Sequence, residues 1–288
     1  MAADTGADGG TGSGADGVAA AGTGSGADGA AARVREMHLA VQLPRDPGPA
    51  GPPLDFAVYV RLARAAERGL FDFVLLNDGG GGPEPFTVLN ALAAVTDRIG
   101  LAAGVTTAGR DPYDLARRIA ALDRLSAGRA AGPALALPEC TAPAGVVIGE
   151  GGPADVVVNG GRERTPPGAK VLARIGFTLT DSGPDGEFGA APGSGPGTAA
   201  DGGPGDSPGL RGTAPELADL LDARVRSGAV DGFLLLPEPA LAGRGLDVFV
   251  DRVVPLLQER GSLRTAYRGT TLRDHLGLPS TARKAGAP

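Results

Sequence analysis

The chain has few of the residue types that many functional classes need. Its one cysteine, Cys140, excludes an internal disulfide, and two histidines in 288 residues make a metal site unexpected. No apolar run approaches the length of a membrane span, and no Lys or Arg precedes Arg33 as a signal peptide requires. The formal net charge of −6 gives no basic surface for nucleic acid. We therefore expect a cytoplasmic protein that binds neither membrane nor nucleic acid.

Glycine and proline are abundant instead, with 49 and 25 residues, and both are concentrated in a few segments. The heptapeptide TGSGADG occurs at 11–17 and again at 23–29. Such segments bury too little apolar surface to offset the entropy that ordering costs. The composition predicts a disordered tail over 1–35, a linker over 183–211 and a short tail over 280–288.

The remaining segments alternate short apolar runs with helical patterns. Strands are predicted at 37–43, 71–77, 99–107 and 231–236. Asp55, Asp111 and Thr213 each stand where a helix cap is expected. The inward face of the first helix is predicted to comprise Phe56, Tyr59, Val60 and Ala63. Repeated strand and helix units predict an α/β fold with parallel strands, either a barrel or a doubly wound sheet.

The middle of the chain departs from this rhythm. Four further runs are typical of strands and bring the total to eight; they lie at 134–137, 145–148, 155–158 and 170–180. Only Gly149 to Ala154 separates the third of these runs from the second, whereas a parallel crossover takes roughly 10 to 12 residues. Either these strands pair as hairpins, or the barrel lacks helices on one side. An incomplete or irregular (β/α)₈ barrel is therefore predicted, formed by 36–182 and 212–279.

Several stretches resemble one enzyme family. AERGLFDFVLLND (66–78) and VTTAGRDPYDLARRIAALDRLSAGRA (105–130) resemble the second and third strands of the luciferase-like flavin-dependent monooxygenases, with the helix that follows. The C-terminal stretches 212–237 and 249–279 are similar to the closing segments of that family. The similarity is greatest to the branch that includes nitrilotriacetate and dibenzothiophene-sulfone monooxygenases.

The resemblance implies a (β/α)₈ barrel that binds reduced FMN at the C-terminal ends of its strands. A separate flavin reductase would supply the flavin, and dioxygen would oxidise a small organic substrate. By position, Asp78 holds the family's Asp place and Asn77 replaces an Ala, while Thr106 and Thr107 end the third strand. These four residues are the expected cofactor-binding residues. The catalytic residues and the substrate are not determined, and a deazaflavin in place of FMN stays open.

One departure from the family bears on activity. Pro133 to Leu137 stands where the family offers Asn and then Val-Val-Thr-Ser to the flavin, and the central insert is missing. Impaired activity is therefore expected, and a non-catalytic flavin-binding paralogue, a subunit that pairs with a complete paralogue or a decayed gene product are alternatives. The short connections are also expected to leave apolar strand surface uncovered between Ala134 and Thr180. Self-association, or pairing with a paralogue, would cover it.

Overall fold

The computed structural model describes residues 35–45, 55–79, 82–135, 145–149, 154–158, 165–180, 209–237 and 245–279. The predicted tails, apart from residue 35, and the predicted linker up to residue 208 lie outside the described residues. Strand β8 begins at Gly209, inside the segment predicted as linker. None of the helices in the described part of the chain is long and apolar enough to cross a membrane.

In the described part of the chain, nine parallel strands form one sheet. They are β1 (His38–Gln42), β2 (Phe73–Asn77), β3 (Gly100–Gly104), β4 (Ala130–Gly132), β5 (Val146–Gly149), β6 (Val156–Val158), β7 (Lys170–Leu179), β8 (Gly209–Gly212) and β9 (Gly232–Pro237). Eight of them close into a barrel in the order β1-β2-β3-β4-β5-β6-β7-β9, and β9 pairs with β1. Strand β8 pairs with the second half of β7. The predicted barrel of the TIM type is confirmed.

Helices cover the outer face of the barrel where the predicted alternation holds. They are α1 (Phe56–Arg68), α2 (Pro85–Ala93), α3 (Pro112–Leu125), α4 (Ala214–Arg226), α5 (Gly245–Glu259) and the short α6 (Leu272–His275). The predicted caps are confirmed, because the side chains of Asp55, Asp111 and Thr213 accept backbone N–H groups of the first turn.

The predicted inward face of α1 is partly wrong. Phe56 is 42% exposed, whereas Tyr59, Leu62, Ala63 and Ala66 are buried. The buried residues have the expected i, i+3, i+4, i+7 spacing. The stripe begins at Tyr59, the fourth residue of the helix, and not at Phe56. Phe56 is the first residue of the helix and precedes the buried stripe.

In the middle of the chain, the structure corrects the position of the fourth strand and decides between hairpins and parallel strands. Strand β4 lies at Ala130–Gly132, whereas Ala134 and Leu135 of the predicted run 134–137 are not in a strand, and 136–137 lie outside the described residues. Pro133 follows it and has no N–H for the ladder. Strands β4 to β7 are parallel, so the hairpin alternative is wrong. No described residue between β4 and β7 is helical, which agrees with helices missing on one side.

The expected apolar surface is not seen at two outward-facing positions of β6 and β7, whereas Ala134 is exposed and Val147 of β5 is partly exposed. Val157 and Val171 alternate with side chains that point into the barrel, so they face outward, and each is 1% exposed. Strand β6 also pairs with β7 and closes the barrel there. The burial of these two valines does not support self-association, which stays a prediction from the sequence.

The core has two layers. The larger layer lies between the sheet and the helices, and Leu39, Val74, Leu101 and Phe233 belong to it. The smaller layer fills the barrel itself with side chains from the eight barrel strands, from Leu272 of α6 and from Leu276, which caps α6; both leucines are fully buried. These two leucines close the N-terminal end of the barrel. The C-terminal end is therefore the end available to a ligand.

A buried charged cluster underlies this closed end. Asp72 is fully buried, accepts the backbone N–H of Leu39 at 2.9 Å and pairs with the Arg264 guanidinium. His38 Nδ1 lies 3.2 Å from the Asp72 carboxylate, and Arg264 Nη1 donates to the carbonyl oxygen of His275 at 3.2 Å. His38 and His275, the two histidines of the chain, thus belong to one cluster. Although burial alone raises the pKa of Asp72, the charge of Arg264 and the contact with His38 lower it to about 2.

His275 makes stability depend on pH. Its ring is 1% exposed, stacks on Tyr267 at 4.6 Å between centroids and has no hydrogen-bond partner at either nitrogen among the described residues. Burial, and next the charge of Arg264, lower its pKa from 6.5 to about 4, against the opposing charges of Asp72 and Asp274. The unfolded chain therefore binds a proton below pH 6.5 that the folded chain does not bind until pH 4, so stability falls across that window.

We expect the free energy of unfolding to drop by about 2 kcal/mol between pH 6.5 and pH 4 through His275. In His275→Phe, which keeps the ring stack, this drop should vanish, while both proteins lose stability between pH 3.8 and pH 2 as Asp72 protonates. Calorimetric thermal midpoints across this pH range provide the measurement. Equal slopes for the two proteins above pH 4 would contradict the assignment.

Candidate functional site

A cavity of about 470 Å³ opens at the C-terminal ends of the barrel strands. Its size lies within the range of small-molecule sites. Its apolar lining includes Leu75, Val105, Ile148 and Val158. Its polar lining consists of Arg45, Asn77, Asp78, Thr106 and Arg174. Barrel enzymes hold their chemistry at this end, because the loops that follow the strands converge there.

Three of the four predicted site residues come together in this lining. Asp78 follows β2 and Thr106 follows β3, and the Thr106 N–H and hydroxyl donate to the Asp78 carboxylate at 2.9 and 3.2 Å. Arg110 donates to the same carboxylate at 2.9 Å. Thr107 lies in the exposed turn beyond, where its carbonyl oxygen accepts the Arg110 N–H, and it does not line the cavity.

Asn77 shapes the floor of the cavity together with Gly104. The two residues are neighbours in the β2–β3 ladder. A Cβ atom at Gly104 would overlap the Oδ1 atom of Asn77. The glycine therefore leaves the space that the amide of Asn77 occupies, and the amide is held at the rim of the barrel interior.

Two polar side chains on the barrel strands, one of them in the cavity lining, were not predicted as site residues from the sequence. Arg174 interrupts the apolar run of β7 and lines the cavity, and Gln42 ends β1 on the inward-facing alternation of Ala40. Gln42 Oε1 is buried and has no hydrogen-bond partner among the residues described. The signal that could have identified Arg174 is a charged residue within an apolar strand. Burying a charge costs free energy unless the charge has a partner, so such a residue indicates a site.

Arg45 completes the polar lining from the segment after β1. Its Nη1 atom donates to the carbonyl oxygen of Asp78 at 2.6 Å. The Asp78 N–H in turn donates to the carbonyl oxygen of Gly104 at 2.8 Å. These bonds join the segments that follow β1, β2 and β3, so the Asp78 backbone is fixed from both sides.

This arrangement favours binding and orientation over proton transfer by a side chain. The Asp78 carboxylate already accepts bonds from Thr106 and is paired with Arg110, so it is not poised as a free base. The remaining polar groups are an amide and two guanidinium groups, which donate hydrogen bonds. The apolar lining excludes water from whatever the cavity holds. A cofactor would therefore have to supply the reactivity.

The fold and the cavity define a TIM-type barrel protein with a candidate ligand site at the C-terminal ends of its strands. Residues 36–131 match the family described as luciferase-like monooxygenase. Dibenzothiophene-sulfone monooxygenase of Rhodococcus erythropolis is 52% identical over 67 residues, and nitrilotriacetate monooxygenase component A of Aminobacter aminovorans is 46% identical over 77 residues. These findings confirm the resemblance to the luciferase-like monooxygenases and to this branch of them.

The matches with curated relatives are local. They cover 23% and 27% of this chain but only 14% and 17% of the two relatives. A solved structure, EDTA monooxygenase from Chelativorans sp. BNC1, superimposes with a TM-score of 0.64 at 17% identity, over 85% of this chain and 99% of that one. At this identity the superposition shows the shared fold.

Proposed function

We propose that the cavity binds reduced FMN and that the protein is a monooxygenase acting on a small organic substrate. The observation that carries the proposal is the cavity at the C-terminal ends of the strands, where Asn77, Asp78 and Thr106 meet an apolar wall. Reduced flavin, when bound, supplies the electrons for the activation of dioxygen. The residues of the chain hold the ligand and exclude water.

The residues present fit a flavin in part. The apolar side chains of Leu75, Ile148 and Val158 suit the faces of an aromatic ring system, and Asn77 and Arg174 can donate to its polar edge. The unpartnered Oε1 atom of Gln42 offers an acceptor inside the barrel. The wall of β4 to β6 is poorer, because Pro133, Ile148 and Val158 offer no side-chain hydrogen bond to a polar chain.

The poor wall supports weak flavin binding and low turnover. Each lost hydrogen bond to a charged group weakens binding by about 1.5–3 kcal/mol, so a few such losses reduce affinity by several orders of magnitude. The same observation favours the second candidate, a flavin-binding or subunit-pairing paralogue that does not catalyse. A flavin reductase is the partner of the active form. FMN is proposed over a deazaflavin, and both belong in the binding measurement.

Removing the contacts at the tips of β2 and β3 is expected to abolish flavin binding. Asp78→Ala and Thr106→Val break the bonds that tie the segments after the two strands together, and the cavity rim loses its shape. Titration of reduced and oxidised FMN followed by flavin fluorescence gives the affinities. Asp114→Ala, in an exposed ion pair on α3, is the matched control and should bind like the wild type.

The same titration tests the proposal as a whole. Oxygen uptake that depends on an added reductase and on substrate would establish the monooxygenase. Flavin binding without such uptake would establish the non-catalytic candidate. Affinity unchanged in both Asp78→Ala and Thr106→Val would refute the site assignment, and absence of binding to FMN and to a deazaflavin would refute the proposed function.

A further inference from the structure

Strand β7 extends the barrel wall beyond its neighbours. It is 10 residues long, and its first residues, Lys170 to Leu172, pair with β6. From Gly176 onward its partner on that side is β8 and no longer β6. The two strands β7 and β8 therefore form a raised wall next to the cavity, at the side where the described residues contain no covering helix between β4 and β7.

The register of β8 turns one arginine toward the cavity side of this wall. Phe177 pairs with Leu210, and both side chains belong to the core layer under the helices. Thr178 pairs with Arg211, one residue further along, so Arg211 points to the opposite face. Arg174 lines the cavity and lies on that same face, four residues before Thr178.

Open space lies between the two arginines. Gly176 and Gly209 are neighbours in the ladder on the same face. The atom nearest to a Cβ at Gly176 would be the Gly209 Cα at 3.8 Å, and a Cβ at Gly209 would meet no described atom within 4 Å. At a rise of about 3.3 Å per residue, Arg174 and Thr178 are about 13 Å apart along the strand. A flat stretch of backbone therefore separates Arg174 from Arg211.

The charge of this region is positive although the chain carries a net −6. Arg45 and Arg174 line the cavity, and Arg211 stands above it. The only carboxylate in the lining that the structure describes is Asp78, and its charge is matched by Arg110 at 2.9 Å. Guanidinium groups bind phosphate and carboxylate in a two-pronged geometry.

We propose that the wall formed by β7 and β8 is an oxyanion-binding site, in which Arg174 and Arg211 hold a phosphate or carboxylate group of the ligand over Gly176 and Gly209. The site deepens the proposed function, since it assigns an anionic end to a ligand of the same cavity. Two sources share this chemistry, the phosphate of FMN and a carboxylate of the substrate.

The test compares FMN with riboflavin, which lacks the phosphate, by fluorescence titration of the full chain. The variants are Arg174→Gln, Arg211→Gln and Gly209→Val, and Arg117→Gln on the exposed face of α3 is the control. Each arginine variant should weaken FMN binding roughly tenfold or more. Gly209→Val should do the same by filling the open space, since a Cβ at this position meets no described atom within 4 Å. Thermal shifts with inorganic pyrophosphate and with citrate complete the measurement.

The outcomes separate the sources and the two proposals. Weakened FMN binding with unchanged riboflavin binding supports the flavin phosphate as the anion. Unchanged flavin binding, with loss of stabilisation by citrate in the three variants, supports a substrate carboxylate. If the wild type binds no flavin but pyrophosphate stabilises it and not the variants, the oxyanion site stands and the proposed function fails. If the three variants match Arg117→Gln with every probe, the oxyanion site is refuted.

Discussion

Gly232→Ala is expected to destabilise the barrel by about 3 kcal/mol or more. Gly232 pairs with His38 where β9 closes the barrel against β1. A Cβ atom there would overlap the carbonyl oxygen of His38 and lie 2.6 Å from its carbonyl carbon. Both are backbone atoms of a central strand, so relief requires that the two strands separate. Urea or thermal unfolding of the variant measures the loss.

Gly104→Ala is the matched control, because the new Cβ there would overlap a side-chain atom, Oδ1 of Asn77. That side chain can rotate, so the stability loss should be about 1 kcal/mol or less. The displaced amide should instead change flavin affinity. A Gly232→Ala protein as stable as Gly104→Ala would show that the β1–β9 contact is looser than the structure describes.

Arg264→Met is expected to cost about 3–5 kcal/mol at pH 7, because it leaves the Asp72 carboxylate buried without its charged partner. Asp72 is fully buried and Arg264 is 6% exposed, so water does not replace the lost guanidinium, and the His38 ring is the side-chain contact that the Asp72 carboxylate keeps in the described part of the chain. For a chain of this size the thermal midpoint should fall by about 6–20 °C. Arg268→Met is the control, since Arg268 pairs with Glu36 at the surface and should cost under about 1 kcal/mol.

The effect of Arg264→Met should depend on pH with a definite sign. Without Arg264 the burial of Asp72 raises its pKa, so the carboxylate takes up a proton at a higher pH than in the wild type. The stability difference between the two proteins should therefore shrink as the pH falls toward 3. The double variant Asp72→Asn with Arg264→Met should be more stable at pH 7 than Arg264→Met alone. A constant difference across pH would contradict a charge-based cause.

The two ends of the barrel have different roles. At the closed end, Asp72, Arg264, Leu272 and Leu276 hold the strands together. At the open end, the polar groups face a cavity and bond to the segments that leave the strands. Charges at the first end are therefore expected to govern stability, and charges at the second end to govern ligand affinity.

The sequence by itself determined what depends on near neighbours along the chain. The caps at Asp55, Asp111 and Thr213 were predicted because a cap is a bond between residues two or three positions apart. The apolar runs of β1, β2, β3 and β9 located four barrel strands for the same reason. Asn77, Asp78 and Thr106 could be placed at one edge, because parallel strands end on the same side.

Only the tertiary structure decided what depends on pairing between distant segments. Strand β4 is placed at Ala130 by its ladder with Leu101, although the apolar run at 134–137 has the stronger local pattern. The parallel pairing of β5 and β6 replaced hairpins that local connection lengths also allowed. The common face of Arg174 and Arg211 follows from the register between β7 and β8. Register is a property of two strands together, and a shift of one residue would turn Arg211 to the other face.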